Sequence, residues 1–259
     1  MSRLHLRNLC CTLGSRPVLR GLTATALQPG TITAVLGRNG VGKSTLLRCI
    51  AGFADCEADQ LHLGGLDLRP LDAATRAASI RYLPQAAPGA LHLSVRDSLH
   101  VALNARHRHS TYEAGQRIAA VAAELGLTEL LERHLDELSG GQKQLVWLGQ
   151  ALIHRPRVLL LDEPLAALDP NYQHHVMQLL RRLAAQLHLV VLVVLHDLNM
   201  AIRYADDALV IQEGRIMAQG PVTDALTPDI LARAFLVQAR VEQCKLGTPL
   251  VVIDDLIHL

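Results

Sequence analysis

The sequence predicts an α/β fold: a mostly parallel β-sheet with crossover helices, an antiparallel β portion at the N-terminus, and an inserted α-helical subdomain. Three observations point to it. Short apolar runs alternate with longer stretches of helical periodicity, the rhythm of strand and crossover helix. Two of those runs, Val158 to Leu161 and Leu189 to Leu195, are unbroken Val and Leu, as expected of parallel strands covered on both faces. The four clearest runs each end in polar residues, and in an open parallel sheet ligands bind beyond the carboxyl ends of the strands.

Taken in order, Cys10-Cys11 sits on an N-terminal strand and alternates in and out of it. Thr31 to Leu36 is a strand running into Gly37, and Ile80 to Leu83 is a second, running into Pro84-Gln85. Between Gln85 and Val158 the pattern changes to Ala/Leu/Glu/Arg-rich segments such as Thr111 to Leu125, with apolar residues at helical spacing. Val158 to Leu161 then runs into Asp162-Glu163, and Leu189 to Leu195 into His196-Asp197. From Ala208 the chain reads strand, Gly214 turn, strand, and a helix begins near Thr227-Pro228, a cap residue followed by Pro at the first helical position. Leu250 to Leu259 reads as a final strand and loop. The basic stretch Arg106 to His109 and the pair His174-His175 read as solvated helix surface.

Composition narrows the function. The 259 residues suffice to bury roughly three quarters of the surface an unfolded chain exposes. Lys plus Arg (25) nearly balances Asp plus Glu (24), a formal charge of +1, which gives no large basic field for holding nucleic acid by phosphate neutralisation. Mean hydropathy is high at +0.22, yet the longest apolar run falls far short of the roughly 20 residues of a spanning helix. Five cysteines, an odd count without a CxxC pair, support neither a zinc knuckle nor a secreted disulfide framework, and a reducing cytoplasm is expected. The N-terminus MSRLHLRNLC lacks the pattern of a signal peptide.

The strand TITAVL leads directly into GRNGVGKS, Gly37 to Ser44, which fits G-x-x-x-x-G-K-[ST] and opens a helix closed by Gly52. This is a phosphate cradle, and it makes the core that of a P-loop NTPase. Gly37, Arg38, Asn39, Gly40, Val41, Gly42, Lys43, Ser44 and Thr45 present backbone N–H groups and a helix N-terminus to an anion. Lys43 reaches the β and γ phosphates, and the Ser44 hydroxyl can ligate Mg²⁺. The four fixed positions arise by chance in on the order of one chain in a hundred, before a strand ahead and a helix behind are required. In VLLLDE two carboxylates stand where a buried strand reaches the crevice; we assign Asp162 to Mg²⁺ and Glu163 to orienting the attacking water.

LSGGQ, Leu138 to Gln142, reads first as helix punctuation, because Ser139 with Gln142 three residues on is a capping box. Capping does not account for Gly140 and Gly141, each costing on the order of 1 kcal/mol relative to Ala. Close main-chain approach to a second phosphate does.

With cradle, LSGGQ and VLLLDE in this order, the chain resembles the ATP-binding cassette ATPases over nearly its whole length. Single-cassette length, HDLN at His196 to Asn199 and the LTPDIL tail look most like the ATPase subunits of bacterial importers for iron chelates, haem and cobalamin, the type II importers. The resemblance implies a single domain over residues 1–259: a RecA-like and antiparallel β core from 1–85 and 155–259, and a helical subdomain over about 86–154. It implies that Gln85 touches Mg²⁺ or its water and senses the membrane partner, that His196 is a switch histidine at the γ-phosphate, and that Leu168-Asp169 crosses a dimer interface. Ser139, Gly140, Gly141 and Gln142 would then meet ATP held by the other subunit of a homodimer. Integral membrane permease subunits on the cytoplasmic face of the inner membrane would be the partners, and a periplasmic solute-binding protein would act only through them.

Two positions depart from the family pattern. Leu13 stands where an aromatic residue usually stacks on adenine, which predicts weaker or less base-selective binding, with Arg16 as a candidate substitute. Ala167 stands where many relatives carry Ser, altering a loop hydrogen bond and leaving the chemistry. The competing readings are the ATPase of an exporter and a soluble cassette protein acting on ribosomes or DNA; a single cassette, no heptad run and no basic excess speak against the latter.

Overall fold

The structure, a computed structural model, describes residues 3–85, 92–105 and 109–257. A hairpin, β1 (Leu4–Leu13) and β2 (Arg16–Leu27), opens the chain and is followed by β3 (Thr31–Leu36) and α1 (Lys43–Ala51). Next come β4 (Gln60–Leu63), β5 (Leu66–Asp67), the one-turn α2 (Ala73–Arg76) and β6 (Ile80–Leu83). Between β6 and β7 (Val158–Leu161) lie α3 (Val95–Asn104), α4 (Thr111–Leu125) and α5 (Gly140–Leu152). The chain continues through α6 (Pro170–Leu187), β8 (Val190–Val194), α7 (Leu198–Tyr204), β9 (Asp207–Gln212), β10 (Arg215–Pro221), α8 (Val222–Ala225) and α9 (Pro228–Phe235). A last hairpin joins β11 (Val237–Gln243) to β12 (Pro249–Leu256).

Six strands form the central sheet in the order β10-β9-β3-β8-β7-β6, parallel throughout except for the edge strand β10. A second sheet, β2-β1-β4-β5, is antiparallel. The predicted class is therefore the observed one. Strand side chains alternate between faces, and here both faces are covered. Ile32, Ala34, Leu36, Leu159, Leu161, Val191 and Val193 enter a core built with the helices. Val35, Leu160, Leu192 and Val194 enter another, shared with α1 and the antiparallel sheet. Each fully buried Val, Leu or Ile contributes about 1.5–3 kcal/mol relative to exposure, so the strand ends are held on a rigid support.

The helix starts follow their sequence signals. Ser110 and Glu113 form a capping box on α4, which ends at Gly126 in the left-handed region. Asp169 caps α6 ahead of Pro170, and Thr227 accepts from the Ile230 N–H ahead of Pro228 on α9. On β1, Cys11 is buried and Cys10 half-buried, the expected alternation.

Several local expectations are corrected. β8 is one residue shorter at each end than the apolar run Leu189 to Leu195, although both flanking leucines are buried. The final strand is present as β12, and an unforeseen partner, β11, pairs with it, with Val241 opposite Val251. His174 is not simply surface: its Nδ1 lies 2.7 Å from the Tyr204 hydroxyl and ties α6 to α7. Arg106, His107 and Arg108 of the basic stretch lie outside the described residues. His109 sits in the link before α4, half-buried, with its N–H donating to Asn104 Oδ1, and not on a solvated helix face.

Candidate active site

Strands β3, β8, β7 and β6 are neighbours, so the polar segments after Leu36, Val194, Leu161 and Leu83 open on one edge of the sheet. The cradle follows β3. Gly37 has φ 143°, and a Cβ there would lie 2.3 Å from the Ile211 carbonyl oxygen. Gly42 has φ 110°, with a Cβ position 2.8 Å from Leu19 Cδ2. No other residue type fits those two turns, which is why the loop runs this close to β2 and β9.

Lys43 is buried at the start of α1, donating to the carbonyl oxygens of Gly37 at 2.8 Å and Arg38 at 3.0 Å. Burial pulls its pKa below the usual lysine value, and the charges of Glu163 and Asp162 pull the other way. The ammonium thus braces the loop from inside while the first turn of α1 leaves its N–H groups without intrahelical acceptors.

Ser44 Oγ donates to Asp162 Oδ1 at 2.8 Å, and the Tyr82 hydroxyl donates to Asp162 Oδ2 at 3.0 Å. Asp162 is 5% exposed, so its charge is stabilised mainly by these two donors and by Lys43. Burial and the Asp162 carboxylate push the Tyr82 phenol well above its ordinary value, which keeps it a donor. Sequence reasoning missed Tyr82. It sits in RYLPQ on a half-buried strand, where an aromatic residue reads as packing.

Glu163 is held from two sides. Gln85 Nε2 donates to its Oε2 at 2.7 Å, and His196 Nε2 lies 2.6 Å from its Oε1. The residue has φ 51°, a left-handed conformation that costs a non-glycine residue of order 1–3 kcal/mol and is found at sites the surrounding fold over-determines. Gln85, which the resemblance places at Mg²⁺ or its water, donates its amide to Glu163 here, while Tyr82 occupies the second oxygen of Asp162. Ser44 and Asp162 together offer hydroxyl and carboxylate oxygens, the hard donor set that suits Mg²⁺.

The LSGGQ segment is built differently. Gln142 N–H donates to Ser139 Oγ at 3.3 Å, and Ser139 N–H donates to Gln142 Oε1 at 3.0 Å, the capping box its spacing predicts. Ser139 and Gly140 are exposed, and Gly141 is buried. A Cβ on Gly141 would stand 2.3 Å from the Tyr172 ring, so this glycine has a packing reason that the sequence did not show. A Cβ on Gly140 would meet only the Ala167 carbonyl oxygen, at 3.8 Å, so packing does not require a glycine there. Asp169 Oδ1 accepts from Tyr172 N–H at 3.0 Å and is exposed. Leu13 is 45% exposed and faces Arg16 across the tip of the first hairpin.

Among the described residues no helix is long and apolar enough to cross a membrane. The family model described as ABC transporter matches residues 22–166. The hemin import ATP-binding protein HmuV of Bordetella bronchiseptica is 35% identical over 246 residues, covering 92% of this chain and 94% of that protein. The cobalamin import ATP-binding protein BtuD of Halobacterium salinarum is 35% identical over 214 residues, 81% of this chain and 53% of that one. Among solved structures, cbiO1 from Clostridium perfringens, part of the ABC transporter complex cbiONQ, superposes with a TM-score of 0.80 at 26% identity, covering 89% of this chain and 92% of its own.

Proposed function

Because this chain belongs to the ABC transporter family, whose ATP-binding proteins are ATPases, we propose that it is the ATP-hydrolysing subunit of an importer for haem, an iron chelate or a cobalamin-type solute. It works as a homodimer at the cytoplasmic face of the inner membrane, docked on permease subunits through residues 86–154, and meets a periplasmic solute-binding protein only through them. The observation that carries the chemistry is the pair of carboxylates at the end of β7: Asp162 on the Ser44 hydroxyl, and Glu163 clamped between Gln85 and His196. Likeness to a hemin importer's ATPase over 92% of this chain supports the solute class.

Roles follow from position. The cradle, Gly37 to Thr45, wraps the phosphates with backbone N–H groups, and Lys43 turns from its two carbonyl partners to the β and γ oxygens. Ser44 and Asp162 would hold Mg²⁺, which when bound neutralises charge developing on the phosphate oxygens. Glu163 orients water and accepts its proton as the water oxygen bonds to the γ-phosphorus and the bond to the β–γ bridging oxygen breaks. His196 and Gln85 keep that carboxylate aimed, and His196 reaches the γ-phosphate when nucleotide is present. Ser139, Gly140, Gly141 and Gln142, with Asp169 beside them, complete the site of the other subunit. ATP then favours the closed dimer and its hydrolysis the open one, a motion driven by differential affinity for two states.

The test is purification of tagged Glu163→Gln protein from detergent-solubilised membranes with ATP present. A polytopic permease is expected to come with it. Ribosomal proteins or nucleic acid in place of a membrane partner would overturn the transport reading and leave the ATP site standing.

A further inference from the structure

Away from the nucleotide site, the segment ahead of α3 and the turn ahead of α5 run side by side. Val95 N–H donates to Arg133 O at 2.9 Å, Arg96 N–H to Leu131 O at 2.9 Å, and Leu135 N–H to Leu93 O at 2.9 Å, with a bridge between Ser94 and His134. This pairing brings His92, His134 and Asp136 together, with one ligand atom from each lying within 4.8 Å of the others. The imidazoles stack, ring centroids 4.2 Å apart, and His92 Nδ1 is 3.1 Å from Asp136 Oδ2. His134 Nδ1 is shut off from solvent and has no hydrogen-bond partner among the described residues. An unpaired buried polar atom of that kind costs about 1–3 kcal/mol, and nothing in the backbone pairing asks for two histidines.

We propose that His92, His134 and Asp136 bind a divalent transition-metal cation of the zinc type. Two imidazole nitrogens and one carboxylate oxygen form a borderline donor set that suits Zn²⁺, Co²⁺ or Ni²⁺ and disfavours Mg²⁺ and Ca²⁺. Three protein ligands leave a fourth position for water. A tetrahedral ion with bonds of about 2.0–2.1 Å needs ligand atoms roughly 3.4 Å apart, closer than the present limit of 4.8 Å. Parallel rings also cannot both aim in-plane at one ion. His92 supplies the adjustment, because its side chain is 74% exposed and free to turn. Bound metal would cross-link the segment ahead of α3 to the turn that leads into Ser139.

The test is titration of the full-length, nucleotide-free chain with Co²⁺, followed by visible absorption. One ion per chain is expected, displaced by Zn²⁺ and showing no thiolate charge-transfer band. His92→Ala and His134→Ala should each weaken binding by about 100-fold or more, at or beyond the upper end of what loss of an outer-shell partner costs. Asp136→Asn should weaken it less. His92→Ala, an exposed position outside the ATP site, should leave metal-free melting and ATP hydrolysis unchanged, which separates loss of the ion from loss of the fold. A thiolate band, no binding at micromolar Co²⁺, or wild-type affinity in both histidine variants would each overturn the proposal.

Discussion

Half-buried Ser44 and Tyr82 donate to the buried Asp162, with Lys43 buried on the loop carbonyls nearby, whereas at Ser139 to Gln142 the polar groups cap their own helix and face outward. The first group comes from β3, β6 and β7, strands of one sheet held by two apolar cores. The second sits on the first turn of α5, with Tyr172 packed beneath Gly141. A preorganised, partly desolvated set can stabilise charge without reorganising at the moment of reaction. An exposed helix N-terminus offers its backbone N–H groups, and the Ser139 hydroxyl and Gln142 amide, which only accept within the cap, keep their donor protons for a ligand brought by another body. The contrast fits a site divided between two chains.

The largest effect should come from the preorganised half. Glu163→Gln keeps the shape and the contact with Gln85 but removes the proton acceptor, so turnover should fall by about 10²–10⁴-fold, the usual contribution of a general base, with ATP binding retained. Steady-state hydrolysis together with equilibrium ATP titration checks both halves of the statement, and near-normal turnover would take Glu163 out of its role.

The division between chains is tested by mixing. Lys43→Ala spoils a cradle and Ser139→Trp blocks an LSGGQ turn, so neither protein alone should hydrolyse ATP. Random pairing of equal amounts makes half the dimers mixed, each with one intact composite site, and about a quarter of wild-type activity should return. If each chain completed its own site, every site in the mixture would carry a defect and activity would stay at zero.

Gly140 and Gly141 should separate next. Gly141→Ala drives a methyl into the Tyr172 ring and should destabilise the chain by about 1–3 kcal/mol, as overpacking does. Gly140→Ala, whose Cβ makes only an ordinary contact with the Ala167 carbonyl, should leave stability unchanged or raise it slightly, by up to about 1 kcal/mol, and weaken hydrolysis. Thermal melts of the two variants decide this, and Tyr172→Ala should restore the stability of the Gly141 variant. Equal melting of both would remove the packing role.

How much of this was legible in the sequence depended on distance along the chain. The cradle, the four strand ends and the capping box at Ser139 are local patterns, fixed by backbone turns and strand period, and the structure has them where the sequence puts them. Tyr82 as a donor to Asp162, Tyr172 under Gly141 and His174 on Tyr204 depend on partners far away in sequence, and each side chain alone reads as ordinary packing or surface. Strand β11 escaped, although its partner β12 was read, because VQARVEQ is polar with only one weakly apolar face to betray a strand. The clamp on Glu163 was half legible: Gln85 and His196 were named, their meeting on one carboxylate was not.

The smallest effect concerns the base. The first hairpin lies against the cradle, since a Cβ on Gly42 would meet Leu19 Cδ2 at 2.8 Å and Val18 Cγ1 at 3.3 Å. Leu13 is at the exposed tip of that hairpin, opposite Arg16, and provides no ring for adenine to stack on. Leu13→Tyr should supply one. Base–aromatic stacking contributes about 1–3 kcal/mol in nucleic-acid complexes, and a half-exposed ring belongs at the low end, so ATP affinity should rise about fivefold. Inorganic tripolyphosphate engages the cradle without a base, and its affinity should not change. Titrating both ligands against both proteins separates the contributions: a gain for ATP alone places the missing stacking partner at residue 13, while equal gains would mean that the ring acts on the phosphate loop. No gain for either would leave Arg16 as the group that already covers the base.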